Sequence, residues 1–463
     1  MAWYYRYELK GIQRWILDSN RLRELAGGSK LIEALGEEAR TLVQAAGGAE
    51  LYAAAGGLTA VFPSRETLER FAAEWPMRVY YTAPGLPMVQ AWVERSPDSA
   101  EALGLLARRL VARRNLPQPV FPEAGPWMAR VGRTGQPAVL PEDGKVRGPK
   151  RPSYDRAGLA KEKCVDADEI HELEDWPEGL VAVVHADGSG IGQRIHKLGG
   201  SRGAHAAFST ALTETTKSAT AAAQHWLETD AVRTWKGLLG PQGVYQRPIV
   251  EGGDDLTYLL PAAPALGFVE VWLQTFEQES RNRAAALGGA GLHAAAGIAF
   301  VHKGHPFWRA YDIAESACAA AKHDLATGGR PTGSGLRLVR LTSSLSADNQ
   351  PAAQAPTWSL AQLCPLTSLV GAVGRLPRGG LRRWLTLAEA GPLAATARDR
   401  AWHRLAELAG DDPEASRAWS DLQTALGQLD GDAATGLFTT ASGRKGTPLA
   451  DALALAHLQR GGK

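Results

Sequence analysis

Gly252-Gly253-Asp254-Asp255 sits between two apolar, strand-like runs, Ile249-Val250 and Leu256 to Leu260. Paired glycines tolerate positive φ, so the pattern predicts a tight hairpin with both acids at its tip. Two adjacent carboxylates repel one another and have no evident structural task there. A divalent cation explains both, and hard oxygen donors suit Mg²⁺ or Mn²⁺, the ions of phosphoryl transfer. A second acidic strand end lies upstream. Leu180 to Val184 is a buried-strand run that leads into His185-Ala186-Asp187-Gly188-Ser189-Gly190-Ile191-Gly192. Asp187 is placed where the strand stops. Behind it, the backbone N–H groups of Gly188, Ser189, Gly190, Ile191 and Gly192 can approach a ligand at an expected helix start, which favours phosphate. Asp187, Asp254 and Asp255 together give three carboxylates on neighbouring strand ends. Two-metal phosphoryl or nucleotidyl transfer uses that arrangement, with ions roughly 3.5–4 Å apart. Taken singly the signals are ordinary, since Asp-Gly usually marks a turn and Gly-x-Gly alone identifies nothing. The combination is what carries specificity.

Lys322 ends a helix-like run from Tyr311 to Ala321. From the last turn of such a helix its ammonium could reach triphosphate oxygens as a point charge; the ordinary alternative is a solvated lysine favoured by the helix dipole. His185 is read as a satisfied strand histidine, because imidazole is an unusual ligand for Mg²⁺. Cys164 with His171 is too little for zinc, which wants four ligands. Arg6, Lys10, Arg14, Arg21 and Arg23 crowd the start of the chain, and surface solubility is the simpler account of them. Lys10 and Arg14 have a spacing that would bring them together on a helix.

The elements that must position these groups show a weak duplication. Glu8-Leu9-Lys10-Gly11-Ile12 matches Asp187-Gly188-Ser189-Gly190-Ile191 as acid-x-x-Gly-Ile. Gly56-Gly57-Leu58-Thr59 matches Gly252-Gly253 followed by Leu256-Thr257, with the two aspartates missing from the first copy. One carboxylate, Glu8, cannot hold two ions, so the first copy is expected to be catalytically silent. The second unit reads as strand 180–187, helices 191–198 and 204–228, strands 244–250 and 256–260, helix 264–287, strand 292–301, helix 306–325 and strand 336–341. That βαββαβ order is ferredoxin-like, the order of polymerase palms. The first reads as strand 3–9, helices 12–25 and 29–46 with Ser29 as a cap, strands 49–54 and 57–62, helix 65–75 and strand 88–93. The fold class is therefore α+β, with a first palm at 1–97, a helical and irregular insertion at 98–179, a catalytic palm at 180–342 and a C-terminal helical domain at 343–463. The insertion holds the basic run Lys145 to Pro152, for which a solvated face is the default.

At 463 residues the chain can hold several cores. Lys plus Arg total 51 against 49 Asp plus Glu, so bulk charge gives no argument for wrapping nucleic acid. The three cysteines are widely spaced, which fits a reducing cytosol, and no run of about 20 apolar residues predicts a membrane span. A cytoplasmic location without membrane contact is expected.

These motifs resemble the large subunit of type III CRISPR effector complexes, the two-palm polymerase-cyclase family. The resemblance is carried by Gly11-Ile12-Gln13, Asn20 to Leu25 with Gly27-Gly28-Ser29, His185 to Gly190, Gly252 to Asp255, Ala296 to Phe300, Pro306-Phe307 and Arg309 to Tyr311. The Ala314-to-Lys322 helix is similar to one in GGDEF diguanylate cyclases that carries a phosphate-binding lysine. The resemblance implies an ATP-dependent synthase of cyclic oligoadenylate, a second messenger of antiviral defence, with Asp187, Asp254 and Asp255 as metal carboxylates. Gly252, Gly253 and Lys322 join residues 188–192 around the nucleotide. It implies Mg²⁺ or Mn²⁺ as two ions, ATP or another nucleoside triphosphate as substrate, and CRISPR RNA, effector subunits or a second copy as partners. The chain departs from the family in lacking an N-terminal HD nuclease domain and in being short. Val131 to Ala138 resembles the inter-palm zinc knuckle without its cysteines, so no zinc is expected. Two other readings stand beside the cyclase: a non-catalytic or RNA-binding scaffold subunit of such a ribonucleoprotein, and a template-directed polymerase.

Overall fold

The structure is a computed structural model. It describes residues 2–19, 21–54, 56–96, 100–116, 127–132, 134–139, 154–165, 173, 176, 179–198, 202–235, 237–240, 243–341, 355–376, 403–404, 406–407, 410, 412–430, 452 and 455–456. The basic run Lys145 to Pro152, His171 and residues 342–354 lie outside this set.

The first unit runs β1 (Ala2–Leu9), α1 (Ile12–Leu17), α2 (Leu22–Ala45), β2 (Ala49–Ala54), β3 (Gly57–Phe62), α3 (Arg65–Thr82) and β4 (Met88–Arg95). Its four-stranded antiparallel sheet has the order β2-β3-β1-β4. Helix α4 (Ala100–Arg114) seals the outer face with Ala102, Leu106 and Leu110 against Tyr4, Val89, Ala91 and Val93. Helix α5 (Arg156–Glu162) packs on α2.

The second unit runs β5 (Leu180–Ser189), α6 (Ile191–Lys197), α7 (Arg202–Trp226), α8 (Val232–Thr234), the hairpin β6 (Leu239–Gly240) and β7 (Gly243–Val244), then β8 (Arg247–Gly252), β9 (Asp255–Pro261), α9 (Ala265–Asn282), β10 (His293–His302) and α10 (Phe307–Asp324). A short hairpin, β11 (Ala326–Thr327) with β12 (Arg330–Pro331), leads to β13 (Gly335–Arg340) and β14 (Thr357–Ser359). The sheet order is β14-β13-β10-β5-β9-β8. Strands β8-β9-β5-β10, at one side of this sheet, repeat the first unit's order β2-β3-β1-β4, the ferredoxin-like arrangement. Helices Leu360–Arg375 and Pro413–Asp430 follow. Among the described residues no helix is long and apolar enough to cross a membrane.

Strand periodicity decides where the site lies, because successive side chains take opposite faces. On β5, Ala182, Val184 and Ala186 join Leu256, Tyr258 and Leu260 of β9 in a core under α7 and α9. Val181 and Val183 join Leu259 in a second core that continues into α10 and into α1 and α2 of the first unit. Both faces of β5 are therefore buried, which is why 180–184 is apolar at every position. Apolar burial on this scale dominates the stability of such a sheet.

Several local expectations are corrected. The stretch read as two helices broken at Gly27-Gly28-Ser29 is one helix, α2, so Ser29 is no cap. The glycines serve close packing instead: a Cβ at Gly27 would lie 1.9 Å from the Lys161 carbonyl of α5, and one at Gly28 would lie 3.4 Å from Ile16 of α1. Lys10 precedes α1 and donates to the Arg114 carbonyl at 2.8 Å, so it shares no helix with Arg14. Helix α3 does not stop before Pro76 but runs through it to Thr82. Proline leaves the carbonyl four residues back without its donor. That carbonyl, of Ala72, accepts from Gln90 Nε2 of β4 at 2.9 Å. Strand β5 continues two residues past Asp187, pairing Gly188 with Ala294 and Ser189 with His293 on β10.

Candidate active site

Register brings the acids together. Antiparallel pairing of β5 with β9 sets His185 opposite Thr257 and Ala186 opposite Leu256. One further step sets Asp187 opposite Asp255. The β8–β9 turn closes on the pair Gly252 and Asp255, so Gly253 and Asp254 form the turn itself. Only Gly253 uses left-handed backbone, with φ of 64°; Gly252 is ordinary strand. Gly188 is what lets the turn settle on β5, since a Cβ there would lie 3.0 Å from Asp254 Cβ. One carboxylate oxygen from each of Asp187, Asp254 and Asp255 lies within 4.8 Å of the others.

Lys322 comes from the last turn of α10 and bonds Asp187 Oδ2, and it donates to the Gly188 carbonyl at 2.9 Å. Helix α10 can lie this close because β10 carries Gly297, where a Cβ would meet the Ala314 carbonyl at 1.9 Å. On the same face of β5, His185 bonds Thr257 Oγ1 at 3.2 Å and meets the Tyr311 ring edge-on. Burial holds the imidazole neutral, lowering its pKa to about 4. The histidine is therefore a buried, bonded strand residue. Tyr311 is buried, and its hydroxyl has no hydrogen-bond partner among the described residues. Chain periodicity gives no warning of this Tyr311–His185 contact, which is made across 126 positions by packing of α10 on the sheet.

Burial and the neighbouring Asp187 push the carboxyls of Asp254 and Asp255 far above the usual carboxylate range, to about 7 and about 8. With one lysine for three acids, the cluster cannot carry three negative charges cheaply. Oxygen donors held this close and short of positive charge match what a divalent cation needs. Asp187, Asp254 and Asp255 thus fit such an ion.

Comparison with known proteins accords with this geometry. Residues 180–328 match the model of the Cas10/Cmr2 second palm domain. The Csm1–Csm4 cassette in complex with cA4 shares the fold at TM-score 0.56 and 14% identity, over 99% of this chain and 70% of that one. The same cassette with AMPPNP superposes at 0.55 and 14% identity, over 99% and 69%. Csm1 in T. onnurineus does so at 0.55 and 16%, also over 99% and 69%. At these identities the likeness is one of fold. No curated protein matches.

Within this second palm, the expected phosphate cradle is only partly a helix start. Gly188 and Ser189 belong to β5, while Gly190 turns the chain with φ of 74° into α6. Arg194 of α6 donates to the carbonyls of Leu287, Ala290 and Gly291 at 3.0, 2.6 and 2.6 Å, tying α6 to the loop before β10. Behind the acidic turn, a cleft of about 250 Å³ runs between Glu33 of α2, Thr216 and Lys217 of α7, and Glu251. Thr216 Oγ1 donates to the Gly253 carbonyl at 2.8 Å, bracing the turn from that side.

Among the described residues the first palm has no such cluster. Glu8 is held by Arg6 and lies 3.5 Å from Arg114. Arg21 lies 3.5 Å from Glu162 and sits over the Tyr154 ring. Cys164 bonds the Ala160 carbonyl at 3.5 Å within its own helical turn. Around Val131, backbone bonds to Gln136 at 2.9 Å and from Gly135 at 2.8 Å close a small turn where the zinc-knuckle resemblance lay.

Proposed function

We propose that this chain is a metal-dependent nucleotidyltransferase that makes cyclic oligonucleotides from ATP, acting in CRISPR-type antiviral defence. The observation that carries the reading is the convergence of Asp187, Asp254 and Asp255 on one point beside Lys322. Solved structures of the same fold include complexes with cA4 and with AMPPNP, which supports a nucleotide as the ligand here.

The three aspartates would hold Mg²⁺ or Mn²⁺. Bound there, such ions lower the pKa of an attacking hydroxyl and neutralise the departing pyrophosphate. The residues' own work is electrostatic and positional. Asp187 and Asp255, opposed across two strands, form a rigid base for the site. Asp254 at the turn closes it from above. Lys322 leaves Asp187 for a triphosphate oxygen when the acids gain other cations. Residues 188–192, Gly252 and Gly253 bring backbone rather than side chains to the nucleotide, which removes steric bulk around it.

Mass spectrometry of products from ATP, GTP and their mixture, with Mg²⁺ or Mn²⁺, tests the reading. Cyclic or linear oligonucleotides that vanish in Asp254→Ala are expected. Equal turnover in wild type and Asp254→Ala would refute it. The scaffold reading has one observation in its favour: structures of the same fold include a Csm1–Csm4 cassette. It predicts RNA-dependent co-elution in gel filtration, unaffected by Asp254→Ala and without nucleotide products.

A further inference from the structure

The polar groups near the end of α10, beyond Lys322, are bonded to one another. Asp324 ends α10, two residues after Lys322. Its Oδ2 accepts from Arg337 Nη2 at 2.6 Å and from Thr357 Oγ1 at 2.6 Å. Thr357 Oγ1 in turn accepts from Arg337 Nε at 2.7 Å. Arg337 and Thr357 are buried direct partners across β13 and β14. Burial alone would raise the Asp324 carboxyl, but the bonds from Thr357 and Arg337 outweigh it and hold it below the usual range.

The ring of three bonds has a consequence along the chain. Strand β14 leads directly into helix Leu360–Arg375, whose start is fixed by a Ser359–Gln362 capping box. The apolar side of that helix lies in the same core as β5 and β9. Gly335 lets β14 approach β13, since a Cβ there would lie 2.3 Å from the Trp358 carbonyl. Asp324 is thus pinned by the segment that introduces the C-terminal helices, and Lys322 is one half-turn away on the same helix.

We propose that Asp324, Arg337 and Thr357 are positioning residues that fix the end of α10 so that the Lys322 ammonium stands over Asp187, and that the C-terminal helices thereby set the alignment of the site. The assignment of a nucleotide role to Lys322 rests on the proposed function; its placement over Asp187 does not. Two measurements on the full chain separate these. The first is competitive amine labelling read by mass spectrometry, which reports Lys322 without nucleotide. Lys322 is expected to label slowly in the wild type and several-fold faster in Asp324→Asn and in Thr357→Val, with Lys217 and Lys303 unchanged. Thr357→Val keeps the side-chain volume, so it remains informative if Asp324→Asn folds poorly. Lys322 labelling that stays at the wild-type rate in folded Thr357→Val overturns the proposal.

The second measurement is the affinity for AMPPNP with Mg²⁺. Thr357→Val is expected to weaken it several-fold in the wild-type background and to have no effect in Lys322→Ala, because residues acting through one lysine do not add. Equal weakening in both backgrounds overturns the proposal in favour of a general structural role. Absence of AMPPNP binding by the wild type breaks the nucleotide reading, and the labelling result then decides the positioning role alone.

Discussion

The two palms share strand order and corresponding strand pairings, and they differ in the side chains at the strand ends. In the first, Arg6 stands opposite Thr59 and Glu8 opposite Gly57. In the second, His185 stands opposite Thr257 and Ala186 opposite Leu256, so one more step along the strands leads from Asp187 to Asp255. The hairpins close on Ala54 with Gly57 and on Gly252 with Asp255. Gly56 and Gly57 therefore occupy the places of Asp254 and Asp255. The first copy has not lost two residues, as the linear alignment suggested; it has the same turn length with glycines in place of the acids. One strand-and-turn frame accommodates either an acidic turn or a glycine one. The neighbours of the strand acid follow suit. Glu8 is neutralised by Arg6, whereas a neutral imidazole stands behind Asp187.

The largest way to break the comparison is to remove the acids from the palm that has them. Asp254→Ala or Asp255→Ala should lower nucleotide turnover by about 10²–10⁴-fold, the range seen when a preorganised charge-stabilising group is lost. Circular dichroism and melting should stay near wild type or improve, since a half-buried acid repelled by its neighbours has gone. Glu8→Ala should change turnover by less than about twofold. A comparable loss from Glu8→Ala would mean that the first palm is part of the chemistry.

A second test uses protons. The folded state holds protons on Asp254 and Asp255 up to about 7 and about 8, while the unfolded chain releases them near 3.9. Between those limits the unfolded state binds fewer protons, so their contribution to stability falls as pH rises from about 4 through about 8 and is level above. Without divalent ions, the melting temperature of the wild type minus that of Asp254→Asn/Asp255→Asn should drop across that window by several degrees, on the order expected for a few kcal/mol. Added Mn²⁺ should raise the wild-type curve most at pH 8 and leave the double variant nearly unmoved. A difference that rises with pH would contradict the arrangement of charges described here.

The sequence made the acidic site legible and its frame less so. Gly-Gly-Asp-Asp between apolar runs and a buried strand ending at Asp187 are local patterns, and strand pairing then leaves little freedom in where the acids go. The connectivity of both units could be read in the same way, from alternation and turn residues. What could not be read depends on contacts across the chain. Gly27-Gly28 looks like a helix break in one dimension, but is a packing surface once α5 lies across it. Pro76 looks like a stop signal, but is tolerated because Gln90 supplies the missing donor. The contact of Tyr311 with His185, and the bonds of Arg337 to Asp324 and Thr357, join residues that no periodicity relates.

Grafting tests the comparison from the other side. Gly56→Asp/Gly57→Asp would give the first palm the second palm's turn. Gly56 has φ of 73° and a Cβ there would meet Ile12 Cδ1 at 2.0 Å, while one at Gly57 would meet the Tyr7 carbonyl at 3.0 Å. The double variant should lose about 1–3 kcal/mol by chemical denaturation, from left-handed strain and displacement of Ile12. It should gain no Mn²⁺-dependent stabilisation, because Arg6 and Arg114 already hold Glu8. A new metal-dependent rise in melting temperature would show that the turn acids alone decide the difference between the palms.

The smallest expected effect concerns an irregularity in the first palm. Helix α3 carries Pro76, and Gln90 meets its consequence by donating to the Ala72 carbonyl while accepting from Tyr5 Oη at 2.6 Å. Helix α9, its counterpart in the second palm, has no proline. Gln90→Leu strands both the carbonyl and the buried phenol, so it should cost about 1–2 kcal/mol. In a Pro76→Ala background the restored backbone N–H satisfies Ala72, and the same substitution should cost roughly half as much, the phenol alone remaining unbonded. Urea unfolding of the four proteins in this cycle measures the difference. An unchanged cost in the Pro76→Ala background would mean that Gln90 serves Tyr5 only, and that α3 accommodates its proline by some other means.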